Sequence, residues 1–417
     1  MLLLLFVCMF STLSYAEQMT VTHARTQKVG MRIAYLGCTA ERVAQVVAAD
    51  MACSGHYAVD AQEYRAVPSK KKEITSLMQE GILFLLILES HAQELAYRLY
   101  DTTTGMLISS ASGKCIVGND SERYGHHIAD QVWRALMGSE SIFNTRLAYV
   151  KEVPYKKNGI AVKHICTADY NGCNEQVMVA TNTISIAPRW GGTQEAPLIF
   201  YSEYTKTNVR LMAVDGRKKR AIVTRYDGVS MHMTPNRDRS LYAFSTSRGD
   251  GNSHIYIVRS NALEQCTFGE VTDACPTFNH DGSVMYYCSD AQTGTPHIMS
   301  YTFATKKHAS LPIKGYCVSP ACNPKRNLIA YSKMVDGLMQ IFVFDITTLQ
   351  EKQLTYDAGH HEDPTWSPCG TFLAYTHQIG SSSRIRTHSY ATGHEQYATP
   401  VGVNCSYPAW SLWKVCP

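Results

Sequence analysis

The feature that most constrains the fold of this chain is a sequence repeat that returns every 44 residues. Its marks are Pro188, His232, Pro276, Pro320, Pro364 and Pro408. Two residues after these marks come Trp190, Thr234, Phe278, Cys322, Trp366 and Trp410. A period of this length is typical of stacked or circular repeat proteins, because a single unit cannot bury its apolar face alone.

Each unit is predicted to contain four short strands. In the clearest copy, an aromatic strand at 364–366 ends in a Pro/Gly turn at 367–370, and a second strand follows at 372–375. In the preceding copy, 341–344 reads as a third strand and 351–355 as a weaker fourth. The runs are β-branched and aromatic, which argues against a helical repeat. Four strands per period correspond to one blade of a β-propeller.

The number of units predicts how the ring closes. Five complete units precede Pro408, but the unit at Pro408 ends after its first strand. Upstream, 147–150 matches the second-strand pattern, and 162–168 and 176–180 fit the third and fourth strands. We therefore predict an all-β six-bladed β-propeller over residues 146–417, closed by both chain ends. Such closure removes exposed sheet edges.

Residues 17–137 do not share the period and are predicted to form an N-terminal α/β domain. The apolar patterns indicate strands at 31–36, 57–64, 82–89, 95–100 and 106–110, and helices at 40–52, 70–80 and 124–137. Residues 138–145 lack the period, and we expect them to link this domain to the propeller.

Residues 1–16 are predicted to be a cleaved signal peptide. This apolar run ends in Ser14-Tyr15-Ala16, a small-x-small cleavage pattern, although the usual basic n-region is missing. The competing interpretation is a transmembrane anchor, which needs about 20 residues. We expect an exported chain that begins at Glu17.

The formal net charge of +4 does not favour nucleic-acid binding. The densest basic runs, at 70–72 and 217–220, are short, and the second falls at a predicted hairpin turn.

The chain has 14 cysteines, of which signal cleavage would remove Cys8. Cys166 and Cys173 flank a predicted hairpin turn and are the candidate local disulfide. The sequence contains no Cys-x-x-Cys or His-x-x-x-His motif, so no zinc site is expected.

The search for catalytic motifs finds neither a Gly-x-Ser-x-Gly elbow nor a phosphate-binding loop. The segment with the most reactive side chains is His-His-Glu-Asp at 360–363. We interpret it as a polar loop between blades, because the sequence shows no second ligand cluster beside it.

The motif Pro-x-Trp-Ser-Pro-x-Gly at 364–370, with the apolar-Ala-Tyr strand that follows it, resembles the propeller repeats of the bacterial TolB family. Pro-Ala-Trp-Ser at 408–411 resembles the same repeat. The layout of signal peptide, α/β domain, helix and six blades is similar over nearly the whole mature chain. The sequence departs from the family pattern at Thr234, Cys322 and Cys369.

This resemblance implies a non-enzymatic periplasmic protein of the Tol-Pal system, which supports outer-membrane integrity and cell division. The implied partners are the peptidoglycan-associated lipoprotein Pal, the inner-membrane protein TolA and other proteins of the outer membrane. We expect a monomer that is peripheral to the membrane. No cofactor is expected, although the sequence leaves open a channel cation such as calcium.

Strand order predicts the residues at the Pal-binding mouth of the channel. The first strand of each blade is innermost, so the loops leading into the repeat marks reach the channel rim. The expected rim residues are Met231, His232, Asp273, Ala274, Cys275, Tyr316, Cys317, His361, Glu362, Asp363, Asn404 and Ser406.

A second contact, with TolA, is placed in residues 17–26. There Met19, Val21 and His23 alternate along the chain, as in a strand that adds to a sheet edge. The alternative is a disordered tail.

The rival function is that of a propeller enzyme, a lyase or glycosidase. Its only candidate groups are Asp273, His361, Glu362 and Asp363, with or without a bound cation. This hypothesis requires these side chains to converge on one substrate-sized cleft. A free-standing structural propeller without a partner is the third alternative.

Overall fold

The computed structural model describes residues 28–91, 94–114, 120–154, 161–225, 228–260, 262–291 and 294–412. The predicted signal peptide and the segment with Met19, Val21 and His23 lie outside these residues. The described chain forms two compact units. One extends to Ala52 and continues from His56 to Glu140, and the other comprises Cys53–Gly55 and everything from Ser141 onward.

The first unit is the predicted α/β domain. Its elements are β1 (Val29–Leu36), α1 (Cys38–Cys53), β2 (Tyr57–Glu63), α2 (Lys71–Ser76), a 3-10 turn (Leu77–Glu80), β3 (Ile82–His91), β4 (Glu94–Asp101), β5 (Met106–Lys114) and α3 (Asp120–Met137). The sheet order is β2-β1-β3-β4-β5, with β1 parallel to both of its neighbours. Val43, Val47 and Met51 are fully buried, so α1 covers the core with the apolar face that its sequence predicts.

The second unit begins with three strands and continues with complete four-stranded sheets. The first three strands are β6 (Arg146–Pro154), β7 (Ala161–Asp169) and β8 (Gln176–Val179). Blade 1 contains β9 (Ser185–Gly192), β10 (Pro197–Tyr204), β11 (Val209–Asp215) and β12 (Arg220–Ile222). Blade 2 contains β13 (Ser230–Pro235), β14 (Leu241–Thr246), β15 (His254–Arg259) and β16 (Ala262–Gln265).

The remaining strands follow the same pattern. Blade 3 contains β17 (Asp273–Phe278), β18 (Val284–Ser289), β19 (His297–Thr302) and β20 (Lys307–Ser310). Blade 4 contains β21 (Cys317–Cys322), β22 (Leu328–Val335), β23 (Leu338–Asp345) and β24 (Gln350–Gln353). Blade 5 contains β25 (His360–Trp366), β26 (Phe372–Ile379), β27 (Ser382–Ser389) and β28 (Glu395–Tyr397), and β29 (Cys405–Trp410) ends the series.

The last strand closes the ring by joining the first three. Its sheet has the order β29-β6-β7-β8, and Trp410 pairs with Leu147 in the antiparallel register between β29 and β6. The backbone N–H of Ser411 donates to the carbonyl of Arg146 at 2.8 Å. Around the ring, each first strand contacts the first strand of the next blade, and β29 contacts β9. The prediction of six blades closed by both chain ends is confirmed.

The aromatic residue of the repeat ties neighbouring blades together. The indole Nε1 of Trp366 donates to the carbonyl of Ala321 in blade 4 at 3.1 Å, and Trp190 donates to that of Ala409 at 3.0 Å. Both indoles are buried between sheets. The repeat therefore marks the position that packs one blade against the previous one.

Two further expectations have a structural outcome. In the segment 138–145, Ile142 and Phe143 are buried within the second unit. The proposed bridge between Cys166 and Cys173 is wrong, because Cys166 is a free thiol buried in β7 whereas Cys173 is exposed in the turn. Among the residues described, no helix has both the length and the apolar character needed to cross a bilayer.

Candidate functional site

The six first strands line the central channel, and each carries one β-bulge. The first strand has one extra residue against the second strand, as between Met231 and Thr234 in blade 2. At the bulge one residue has a left-handed backbone with φ between 52° and 58°. These residues are Ala187, His232, Cys275, Ser319, Asp363 and Tyr407. Such a conformation costs a non-glycine residue about 1–2 kcal/mol, and a bulge re-aims its side chain.

The position of the bulge shows that the repeat alignment of blade 2 is shifted by one residue. His232 has the left-handed conformation that Cys275 has in blade 3, where Pro276 follows. Met233 therefore occupies the proline position in blade 2, and the assignment of His232 as a repeat mark is wrong by one residue. Blade 2 lacks this proline, so the constant 44-residue spacing selected the neighbouring residue instead.

Side chains at the bulges of adjacent blades meet in the channel wall. The thiol Sγ of Cys275 lies 3.8 Å from both ring nitrogens of His232. The hydroxyl of Ser319 donates to Oδ1 of Asp363 at 2.9 Å. We call Arg189, His232, Cys275, Ser319, Asp363 and Tyr407 the channel cluster.

Electrostatic coupling shows that these side chains share one space. Burial raises the pKa of Asp363, while the positive charge of Arg189 and the Ser319 hydrogen bond oppose the rise. Arg189 lies in blade 1 and Asp363 in blade 5, and these two blades are separated on the ring by the closing sheet that contains β29. Burial and the nearby Asp363 carboxylate raise the pKa of the Tyr407 hydroxyl.

Cys275 has the opposite shift. A hydrogen bond from the thiol of Cys288 lowers the pKa of Cys275, and the adjacent His232 and Arg189 add to this effect against the cost of burial. The channel wall therefore combines a carboxyl group whose pKa is raised by burial with a thiol whose pKa is lowered by its neighbours.

The expected rim residues lie mostly in the first strands rather than in loops, because these strands begin earlier than the sequence pattern indicates. Only Tyr316 and Asn404 precede a strand. Asp273, Cys317 and His361 occupy equivalent positions two residues before the bulge and are buried inside their own blades. Met231, Ala274, Glu362 and Ser406 are partly exposed, and Tyr316 is exposed.

Asn404 has a local structural contact. Its Oδ1 accepts a hydrogen bond from the backbone of Ser383, and its Nδ2 donates to the carbonyl of Ser381. Asn404 thereby fixes the hairpin between β26 and β27 next to the channel mouth.

The groups required for the enzyme hypothesis do not converge. Asp273 is buried in blade 3, where its carboxylate lies 3.9 Å from His254 Nδ1, and His361 is buried in blade 5. Glu362 and Asp363 follow His361 directly in β25, and burial raises the pKa of both carboxyl groups. The four side chains therefore form no shared catalytic cleft.

One end of the ring exposes large apolar side chains. We define the front face as the end where the first strands begin, formed by the loops into these strands and the hairpins between second and third strands. Its exposed apolar residues are Ile184, Tyr204, Val229, Phe268, Tyr316, Met334, Tyr356, Ile379 and Val401. Of the other exposed apolar residues in the described propeller, Leu349 and Leu412 lie on the opposite back face, and Val177, Ile222 and Tyr397 lie on the outer fourth strands β8, β12 and β28. Sequence analysis missed this difference, although the repeat places most of these residues at equivalent loop positions.

A polar cluster in blade 5 was also missed. Nε2 of His361 lies 3.1 Å from Oδ1 of Asp357, and the parallel ring of His377 stacks on His361 at 4.4 Å. Burial, together with the adjacent His377, lowers the pKa of His361 to about 4. One ligand atom from each of these three residues lies within 4.8 Å of the others, a metal-like grouping that no other set of described residues shows. His377 is 16 residues from His361 in the sequence, and only the β25–β26 register brings them together.

Comparisons with known proteins agree with this architecture. The model of the TolB β-propeller domain family matches residues 133–414. The chain is 24% identical over 414 residues to the Tol-Pal system protein TolB of Gluconobacter oxydans, covering 94% of this chain and 88% of that protein. It is also 24% identical over 310 residues to a TolB homolog of Protochlamydia amoebophila, covering 68% of this chain but only 62% of the relative.

The crystal structure of TolB from Acinetobacter baumannii has the same fold. It superposes with a TM-score of 0.79 at 20% identity, covering 92% of this chain and 97% of the other. The family match extends over more than half of the chain and includes most of the propeller described above. This chain therefore belongs to the TolB family.

Proposed function

We propose that this chain is a non-enzymatic, periplasmic component of a Tol-Pal system and that its front face binds a Pal-like lipoprotein. The observation that carries the proposal is the ring of exposed apolar side chains on that face. Tyr356 is 75% exposed, Phe268 69% and Val401 81%, and all three lie in loops that lead into first strands. Exposed apolar residues concentrated in one region are typical of protein-binding surfaces.

The charge at the channel mouth fits a selective interface. Glu362 and Asp363 lie one after the other on β25, partly exposed inside the apolar ring. A central polar group surrounded by aromatic residues favours one partner over others, because a mismatched partner leaves the carboxyl groups buried and unpaired. The name of the Gluconobacter relative, a Tol-Pal system protein, supports the same partner class.

The decisive experiment removes two aromatic rings from the front face. We expect a Tyr316→Ser, Tyr356→Ser double variant to lose at least about 2 kcal/mol of binding free energy to the Pal-like lipoprotein of the same organism. This corresponds to about a 30-fold higher Kd, measured by titration calorimetry. Leu349→Ser on the back face is the matched control, since it also removes an exposed apolar side chain.

An unchanged Kd in the double variant, with or without an effect of Leu349→Ser, would refute front-face binding. A separate variant, Glu362→Lys, tests the channel mouth. It should weaken binding by reversing a charge, and equal binding would exclude this carboxylate from the interface.

The role of the N-terminal segment rests on the family resemblance. We propose that residues 17–26, including Met19, Val21 and His23, engage an inner-membrane partner of the TolA type. Deleting 17–26 should abolish capture of that partner while Pal binding persists. Retained capture would contradict the assignment. Cells in which the protein binds neither partner should be sensitive to detergent and should divide late.

A further inference from the structure

We propose that Asp357, His361 and His377 in blade 5 form a binding site for a first-row divalent metal ion, with Zn²⁺ as the reference ion. Imidazole nitrogens and a carboxylate oxygen are ligands that such ions prefer. The site lies at the front end of β25 and β26, away from the channel cluster. The argument for this site does not rest on the proposed partner binding, although Asp357 directly follows Tyr356 of the front face.

The distance between His361 and Asp357 is close to that of a coordination sphere, and the ligand atom of His377 lies farther away, within 4.8 Å of the other two. Two ligand atoms that are each about 2.0 Å from a tetrahedral ion lie about 3.3 Å apart. His361 Nε2 and Asp357 Oδ1 are separated by 3.1 Å, and His377 Nε2 is 3.9 Å from Asp357 Oδ2. The two imidazole rings stack at 9°, so one ring must tilt to direct both lone pairs at one ion. Asp357 is 48% exposed and leaves a path from solvent.

The buried histidine has unsatisfied ring nitrogens. His361 is fully buried, and neither Nδ1 nor Nε2 makes a hydrogen bond. The short distance to Asp357 Oδ1 lacks the alignment of a hydrogen bond. An unpaired polar group in the interior costs about 1–3 kcal/mol. A metal ion between His361 and Asp357 would satisfy Nε2 without requiring that alignment.

Outer contacts hold the other two ligands. The hydroxyl of Tyr397 lies 2.8 Å from Nδ1 of His377, and Arg386 Nη1 donates to Oδ2 of Asp357 at 2.9 Å. Glu395 balances the guanidinium charge at 3.1 Å. His377 Nε2, which now lies 2.9 Å from the carbonyl of Ala358, would exchange this contact for the metal. Such outer-shell bonds orient metal-ligating histidine and carboxylate groups.

The other blades show that the fold does not need this histidine pair. The register equivalents of His361 and His377 are Cys317 and Lys333 in blade 4, and Cys405 and Lys151 in blade 6, the closing sheet β29-β6-β7-β8. In blade 4 the lysine pairs with Glu351 on the outer strand. Blade 5 keeps the corresponding acid as Glu395, bonded to Tyr375 as Glu351 is bonded to Tyr331. The contact between tyrosine and glutamate is thus shared by blades 4 and 5, whereas the two histidines with Asp357 occur in blade 5.

The test uses the tag-free full-length chain and Zn²⁺ titration calorimetry. We expect the wild-type protein to bind Zn²⁺ at this site, and His377→Lys to weaken that event by at least about tenfold, the lower limit for loss of an outer-shell partner. Lysine occupies this position in blades 4 and 6, and Glu395 can pair with it, so the variant should remain folded. His308→Gln, at an exposed histidine of blade 3, is the control and should leave Zn²⁺ affinity unchanged.

Asp357→Asn provides a second variant that changes only the exposed ligand. It should weaken Zn²⁺ binding in a protein with wild-type circular dichroism, and it decides the question if His377→Lys does not fold. Zn²⁺ affinity equal to wild type in Asp357→Asn, or no saturable Zn²⁺ binding by the wild-type chain, would overturn the proposal.

Discussion

The closure of the ring predicts a specific cost for Trp410→Ala. Trp410 is 3% exposed, and its indole Nε1 donates to Oγ1 of Thr145 at 2.7 Å. It is the only tryptophan in the described part of β29, the strand that joins the C-terminal end of the chain to β6. Removing this buried side chain therefore weakens the seam.

The magnitude follows from burial. Truncating a buried tryptophan to alanine typically costs about 3–5 kcal/mol of unfolding free energy. Thr145 Oγ1 still donates to the carbonyl of Ile142, so the lost hydrogen bond adds little. A change of 1 kcal/mol shifts Tm by about 2–4 °C in domains of 150–250 residues. The propeller unit is larger, which favours the lower value and a drop of about 6–10 °C.

Thermal unfolding by circular dichroism measures the shift, and Trp366→Ala is the matched comparison. Trp366 is 5% exposed, and its indole Nε1 donates to the carbonyl of Ala321 in blade 4, but it lies within blade 5 rather than at the seam. Both variants should lower Tm similarly, whereas only Trp410→Ala should accelerate hydrogen exchange in β29 and β6. If Trp410→Ala leaves Tm within about 1 °C of wild type while Trp366→Ala lowers it, the reasoning from closure fails.

Two further predictions concern a turn and an ion pair. Gly370→Ala should destabilise the protein more than Gly380→Ala in urea unfolding. Both glycines have positive φ, but a Cβ at Gly370 would lie 2.6 Å from Asn323 Oδ1, whereas a Cβ at Gly380 would meet open space. Equal losses of unfolding free energy in the two variants would contradict this reasoning. Burial opposes ionisation of the Glu175 carboxyl, yet hydrogen bonds from Lys151 and Tyr149 hold its pKa below the ordinary value. The ionised carboxylate therefore stabilises the folded protein above the unfolded pKa, and this stabilisation is lost as the pH falls through the lower folded pKa. Glu175→Gln should therefore lower Tm at pH 7 and converge with wild type in acid, and a constant difference in Tm across this range would disprove the linkage.

The repeat was sufficient to predict the architecture because it records contacts that recur in each blade. Trp190, Trp366 and Trp410 are the residues that pack between sheets, and their spacing gave both the blade number and the incomplete last unit. The helices of the first unit could also be predicted from the sequence pattern. The pattern at Val43, Val47 and Met51 matched the buried side of α1.

The site was less predictable because it depends on register and backbone conformation. A bulge displaces the pairing by one residue, so Asp273 and His361 point into their blades while Cys275 and Asp363 contact other blades. Nothing in the local sequence marks this alternation. His377 joins His361 only through pairing across β25 and β26, which a constant-period alignment does not reveal without the bulge position.

At the bulges, the side chains that face the channel differ while the backbone conformation stays the same. Six residues with nearly identical backbone angles display a methyl, an imidazole, a thiol, a hydroxyl, a carboxyl and a phenol around one axis. Because no particular side chain is required to keep the left-handed turn, substitutions at these positions can change the side chains of the channel wall while the surrounding sheets stay the same. The chemistry of the channel wall therefore has six positions of variation that are already distributed around the ring.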